Sequence, residues 1–177
     1  MSDKLNLQNI VQIAYYVNDI ESAAKKAHKN FGTGPFFIYK NIELVDVSYR
    51  GEKAELDHSS AYAQAGPLMI EFTQQNNKGP STFTDMYPND EEGFHHMAIF
   101  VDDVKKEMSQ LQSEGFETVT HYFTREGNVE VAFVDTRSIL GHMVELYKPV
   151  DAMTRFYDAV ARSVVKWDGK ELFRYIN

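Results

Sequence analysis

The chain has 177 residues, 43% hydrophobic and 25% charged, with a formal net charge of −8 and no cysteine. Such a composition builds a globular core, and the negative charge argues against a nucleic-acid surface or docking on anionic lipid. Lack of cysteine removes disulfides and thiolate chemistry, so any metal must be held by histidine, carboxylate or amide oxygen. No apolar run reaches membrane-span length and Met1-Ser2-Asp3-Lys4 begins no signal peptide, so a soluble, cytoplasmic protein is expected.

Residues 1–8 read as a leader. A strand follows over Ile10–Val17, then a helix that Asn18 and Glu21 would cap. Ile20, Ala23, Ala24, Ala27 and Phe31 form its apolar face, and Gly32 closes it. Thr33-Gly34-Pro35 breaks the chain. Phe36–Ile42, Leu44–Tyr49, His58–Ala65 and Leu68–Thr73 read as strands, with Arg50-Gly51-Glu52 as a turn. Residues 75–92 have a linker's composition, in which Phe83, Met86 and Tyr87 could form a short docked helix. The plan then repeats: a strand over His95–Val101, a helix from Asp103 with Val104, Met108 and Leu111 buried, and strands at Glu117–Phe123, Val129–Asp135 and His142–Tyr147. Beyond Pro149, the spacing of Met153, Phe156, Val160 and Val164 predicts a helix over Ala152–Lys166. It would cover the back of the fold, form a homodimer contact or act as a lid.

The repeat can be read residue against residue. Gln12-Ile13-Ala14 aligns with His96-Met97-Ala98, 84 positions apart, and Met69-Ile70-Glu71 with Met143-Val144-Glu145, 74 apart. The predicted fold is therefore α+β: two tandem βαβββ modules, residues 9–74 and 93–148, forming a curved mixed sheet around a cleft, plus a C-terminal helical extension over 149–177. Alternation places His96, Ala98 and Phe100 on one face and turns His95 away, to be packed or capping. Glu71 and Glu145 each sit mid-strand among apolar residues, where an unpaired charge is costly. If the modules pair about a pseudo-two-fold axis, Gln12, Glu71, His96 and Glu145 converge as a first shell for a divalent cation such as zinc, nickel, cobalt or manganese. The competing reading puts the glutamates on solvated faces and makes His96 a satisfied core histidine.

The His95–Val101 and Gly141–Leu146 stretches, with the repeat over about residues 9–148, resemble the vicinal oxygen chelate superfamily. That family includes glyoxalase I, methylmalonyl-CoA epimerase, extradiol dioxygenases and bleomycin-resistance proteins. The resemblance implies Gln12, Glu71, His96 and Glu145 as ligands, a set similar to that of glyoxalase I, with the epimerase as a neighbour. It also implies departures. Gln12 stands where iron dioxygenases of the family use a histidine, and Tyr16 where glutathione-using members place an arginine.

The expected function is a glyoxalase-like, non-redox isomerase or lyase acting on a small carbonyl or thioester through a metal-stabilised enolate, with Glu71 or Glu145 moving the proton. Tyr16, Met69 and Tyr147 share the ligand faces and are expected to line the substrate pocket, with Arg50 at its mouth. Glu55 is a second candidate base. The alternatives are a metal-free binding protein on the same fold and an iron-dependent dioxygenase.

Overall fold

A computed structural model describes residue 5 and residues 7–176. Most of the expected leader lies outside these residues; its described end, Leu7–Asn9, is a single 3-10 turn. No helix among the described residues is long and apolar enough to cross a membrane.

Strand β1 (Ile10–Tyr16) leads into helix α1 (Ile20–Phe31). The Asp19 carboxylate, not Asn18, caps that helix by accepting from the Ser22 N–H at 2.6 Å. Asn18 instead donates its side-chain N–H to the Asp90 carbonyl. Ile20, Ala24 and Ala27 are buried as the periodicity requires, but Phe31 at the last turn projects beyond the sheet and is 84% exposed. Strands β2 (Phe36–Tyr39), β3 (Leu44–Tyr49), β4 (Glu52–Lys53), β5 (His58–Ala65) and β6 (Leu68–Gln75) follow. A short helix α2 (Thr82–Met86) opens on Ser81, whose hydroxyl accepts from Phe83 and Thr84 in a capping box. The second half runs β7 (Gly93–Phe100), α3 (Val104–Ser113), β8 (Thr118–Thr124), β9 (Glu130–Asp135), α4 (Arg137–Leu140) and β10 (Met143–Tyr147). The chain ends in α5 (Asp151–Ser163) and β11 (Phe173–Ile176).

All the strands join one mixed sheet in the order β11-β2-β5-β6-β1-β7-β10-β9-β8-β3-β4. Two apolar clusters lie under α1 and α3. A third, including Phe83, Tyr122, Phe133, Met143 and Tyr147, fills the opposite, concave side. Helices α1 and α3 therefore cover the outside of a curved sheet, as the repeat predicts. Two placements differ from expectation. Strand β3, with β4 beside it, does not stay with β2 and β5: it pairs with β8 at the far end of the sheet, because Leu44, Val47 and Tyr49 find their apolar partners in the concave cluster there. Strand β11 was not foreseen; it pairs in parallel with β2 and returns the C-terminal extension to the first half of the sheet. Its four residues are too few for a periodic signal.

The two halves meet where β1 runs antiparallel to β7. Ile13 pairs with Met97, flanked by Gln12 with Ala98 and Ala14 with His96. Exchanging the halves exchanges those flanking pairs, so the pseudo-two-fold axis passes through the Ile13–Met97 pair.

Candidate metal centre

Parallel pairing of β6 with β1 and of β10 with β7 extends these pairs into two rows across the concave face. One row is Met69, Gln12, Ala98, Glu145; the other is Met143, His96, Ala14, Glu71. Each row holds a methionine, an amide or imidazole donor, an alanine and a glutamate. The two alanines, each with no exposed surface, keep the floor between the donors open.

The strand pair also carries two bulges, one on each strand. The register steps from Ile10 to Gln12 on β1 while it moves from Ile99 to Ala98 on β7, which leaves Val11 extra. It steps from His96 to Phe94 on β7 while it moves from Ala14 to Tyr15 on β1, which leaves His95 extra. Val11 and His95 are equivalent positions in the repeat, each just before a candidate ligand. A bulge re-aims a side chain, and this one turns His95 to the same side as His96. Simple alternation, which turned His95 away, fails here for that reason.

The consequence is a short hydrogen-bonded relay. His95 Nε2 lies 3.0 Å from the Thr82 carbonyl oxygen, which can only accept, so His95 carries its proton on Nε2. His95 Nδ1, 2.8 Å from His96 Nδ1, must then accept. Burial holds the His95 pKa well below the ordinary value, which keeps that ring neutral. His96 therefore donates from Nδ1 and turns Nε2 toward the glutamates.

His96 Nε2 lies 3.0 Å from Glu145 Oε2 and 3.5 Å from Glu71 Oε2. One donor atom from each of the three residues falls within 4.8 Å of the others. All three side chains are buried, which removes the solvated-face reading of the glutamates. The satisfied-histidine reading covers only half the ring: Nδ1 is bonded, whereas His96 Nε2 and Glu145 Oε2 lack hydrogen-bond partners despite their closeness. Two lone pairs facing at that distance repel unless a positive charge lies between them. Burial disfavours a charged His96, but Glu145 and Glu71 outweigh it and raise its pKa to about 9. The Glu145 carboxyl is pushed up, first by burial and then by Glu71, against the pull of His96. Burial also opposes ionisation of Glu71, but the nearby charge of His96 prevails and lowers it. A cation thus fits these residues: an imidazole nitrogen whose extra proton the ion would replace, two carboxylates and closely facing donor atoms converge in a dry site. Gln12 lines the same cavity; its amide N–H donates to Met69 Sδ at 3.3 Å, which leaves its carbonyl oxygen unpartnered.

Of the expected pocket residues, Tyr147 lines the cavity, whereas Tyr16, Met69 and Arg50 do not. Tyr16 is screened by Phe83 and Tyr87, which stack on it at 5.4 and 6.1 Å. Met69 is spent on Gln12. Arg50 pairs with Asp85 and Glu117 and ties the β3–β4 hairpin to α2 and β8. Glu55 is exposed and also outside the cavity. The expected linker proves to be part of the site, since Thr82 anchors the relay and Phe83 forms wall. Tyr62, Tyr122, Phe133 and Tyr157 also line the cavity and were not picked out from the sequence, because isolated aromatics on separate elements carry no spacing signal.

The family profile described as the Glyoxalase/Bleomycin resistance protein/Dioxygenase superfamily matches residues 11–133. No curated protein matches the chain. Among solved structures, it is similar to the methylmalonyl-CoA epimerase of Mycobacterium tuberculosis, with a TM-score of 0.55 at 16% identity, covering 88% of this chain and 96% of that one. A hypothetical protein from Bacillus halodurans C-125 also gives a TM-score of 0.55, at 17% identity, with 80% and 94% covered. At such identities these likenesses establish the shared fold.

Proposed function

The chain belongs to the glyoxalase, bleomycin resistance protein and dioxygenase superfamily, and from that premise we propose that it is a divalent-metal-dependent, non-redox isomerase or lyase that moves a proton at carbon beside a carbonyl. The observation that supports this best is the buried convergence of Glu71, His96 and Glu145 with unpartnered donor atoms facing one another. The name of one fold neighbour, a methylmalonyl-CoA epimerase, is in keeping with an isomerase-type reaction.

His96 Nε2 and the Glu71 and Glu145 carboxylates would hold the ion, with the Gln12 amide oxygen as a further donor. When bound, zinc, nickel, cobalt or manganese supplies Lewis-acid polarisation of a substrate carbonyl. The chain does the rest. His95 fixes the ring of His96, and Ala14 and Ala98 keep the floor clear. The walls exclude water, so that a carboxylate works as a base in a low-dielectric setting. Glu71 or Glu145 is the proton carrier, since both carboxylates face the ion's position from the buried floor.

Elemental analysis of the purified full chain tests the reading. About one divalent ion per chain is expected, with a sharp loss in His96→Ala. Protein that takes up no divalent metal even when supplied with it would be a binding protein on this fold, and oxygen uptake with bound iron would make it a dioxygenase.

A further inference from the structure

The acid centre forms one end of a cavity of about 210 Å³. That is below the roughly 300–1,000 Å³ of sites for drug-sized ligands, so the body it takes is small. Its walls are rings: Tyr62, Phe83, Tyr122, Phe133, Tyr147 and Phe156 all contribute. The C-terminal extension supplies the cover, with Met153, Phe156 and Tyr157 from α5 and Ile176 from β11. Helix α5 is thus seated over the concave face and not on the back of the fold.

Charge is distributed just as unevenly. Among the described residues, no lysine or arginine lines the cavity. Outside the metal centre the only acidic lining residue among those described is Glu126, which is exposed at the rim and accepts the Tyr39 hydroxyl at 2.6 Å. A divalent ion would be balanced by Glu71 and Glu145, so it would leave no net positive charge to receive a third anion. A carboxylate or phosphate entering here would pass Glu126 and then lie buried without a counter-charge, which is expensive. Two neutral groups in the walls do lack partners, His58 Nδ1 and the Tyr157 hydroxyl, both buried and both lining the cavity. They suit an uncharged oxygen.

We infer that the substrate of this site is a small, uncharged, ring-bearing carbonyl compound with a neighbouring oxygen. This rests on the proposed function for the chelating oxygens, but the cavity's selection against anions stands apart from it.

The test is calorimetric titration of the full chain, with metal content measured on the same sample. The probes are 2-hydroxyacetophenone, its near-isosteric anion salicylate, and acetyl-CoA. The uncharged ketone is expected to bind at least about tenfold tighter than salicylate, a difference of ~1.4 kcal/mol, with no binding of acetyl-CoA. Glu126→Lys alters an exposed rim residue and should raise salicylate affinity several-fold while leaving the ketone nearly unchanged. Equal or tighter binding of salicylate or acetyl-CoA to the unaltered chain overturns the inference, and so does failure of the ketone to bind. The two readings fail separately. Metal-loaded protein that rejects the ketone sinks the substrate class alone, whereas ketone binding by a chain that takes up no metal leaves the substrate class standing and sinks the metal-dependent reaction.

Discussion

The relay from Thr82 through His95 to His96 yields the sharpest prediction, because it replaces an expectation that His95 is inert. His95→Phe keeps a ring in a site with no exposed surface, against Phe83 and Phe133 with centroids at 4.9 and 5.9 Å. It removes the acceptor for His96 Nδ1–H and leaves the imidazole free to adopt the other tautomer or to turn. Partners of this kind, which orient a metal-ligating histidine, are typically worth 10–100-fold in metal affinity. The expected loss is therefore ~1.4–2.7 kcal/mol. Competition against a chromophoric chelator measures it. Val11→Ala is the control, since Val11 bulges at the equivalent position of β1 and bonds to no ligand; its affinity should stay within about twofold of the parent. Nitrogen NMR of the zinc-loaded protein gives a second readout, in which the His96 proton resides on Nδ1 and Nε2 carries the metal shift. A folded His95→Phe protein that binds zinc with the parent's affinity would refute the relay.

Three other outcomes follow from the same geometry. At least one of Glu71→Gln and Glu145→Gln should retain metal yet lose about 100-fold or more in exchange of a substrate C–H with deuterated water; exchange undiminished in both would mean that neither glutamate carries the proton. Ala98→Val puts two methyl groups onto the floor between Gln12 and Glu145 and should cost ~1–3 kcal/mol in chemical unfolding while lowering metal occupancy; unchanged occupancy would mean the alanines do not define the ion's space. Burial lowers the His58 pKa from 6.5 to about 4, so the unfolded chain binds that proton first as pH falls. The stability that neutral His58 confers is complete above about pH 6.5 and declines toward pH 4, by about 3 kcal/mol; His58→Gln should flatten this part of the pH–stability curve, and an unchanged slope would count against a buried neutral His58.

How much of this was legible in the sequence depends on the kind of signal. The strands that hold Gln12, Glu71, His96 and Glu145 were readable because each lies in a long periodic segment and because the repeat supplies every position twice. Glutamates among apolar residues were informative for the same reason, since burial makes an unexplained charge costly. The failures have local physical causes. A bulge adds one residue and inverts the facing of its neighbour, so alternation at His95 pointed the wrong way. Strand β3 was placed by proximity in sequence, whereas the apolar surface that Leu44, Val47 and Tyr49 need lies across the sheet at β8. Arg50 was expected at the mouth of the pocket, yet it is held outside it by Asp85 and Glu117. The aromatic walls come from widely separated segments, and only the closed fold collects them.

The repeat also explains why this centre is lopsided. Its two donor rows share methionine, alanine and glutamate, and both strands bulge just before the donor. The halves part company at only two adjacent positions of this pattern. One half has Val11 and Gln12, the other His95 and His96. An amide oxygen has no tautomer to choose, and Gln12 is oriented through its N–H, which Met69 Sδ accepts. An imidazole presents a lone pair on one nitrogen only if the other nitrogen keeps the proton. The residue turned inward by the second bulge is the one that enforces this, and Thr82 enforces it in turn. The paired substitutions are therefore physically linked: a histidine at position 12 would face apolar Val11, with no acceptor from that bulge, and would lack the partner that fixes His96.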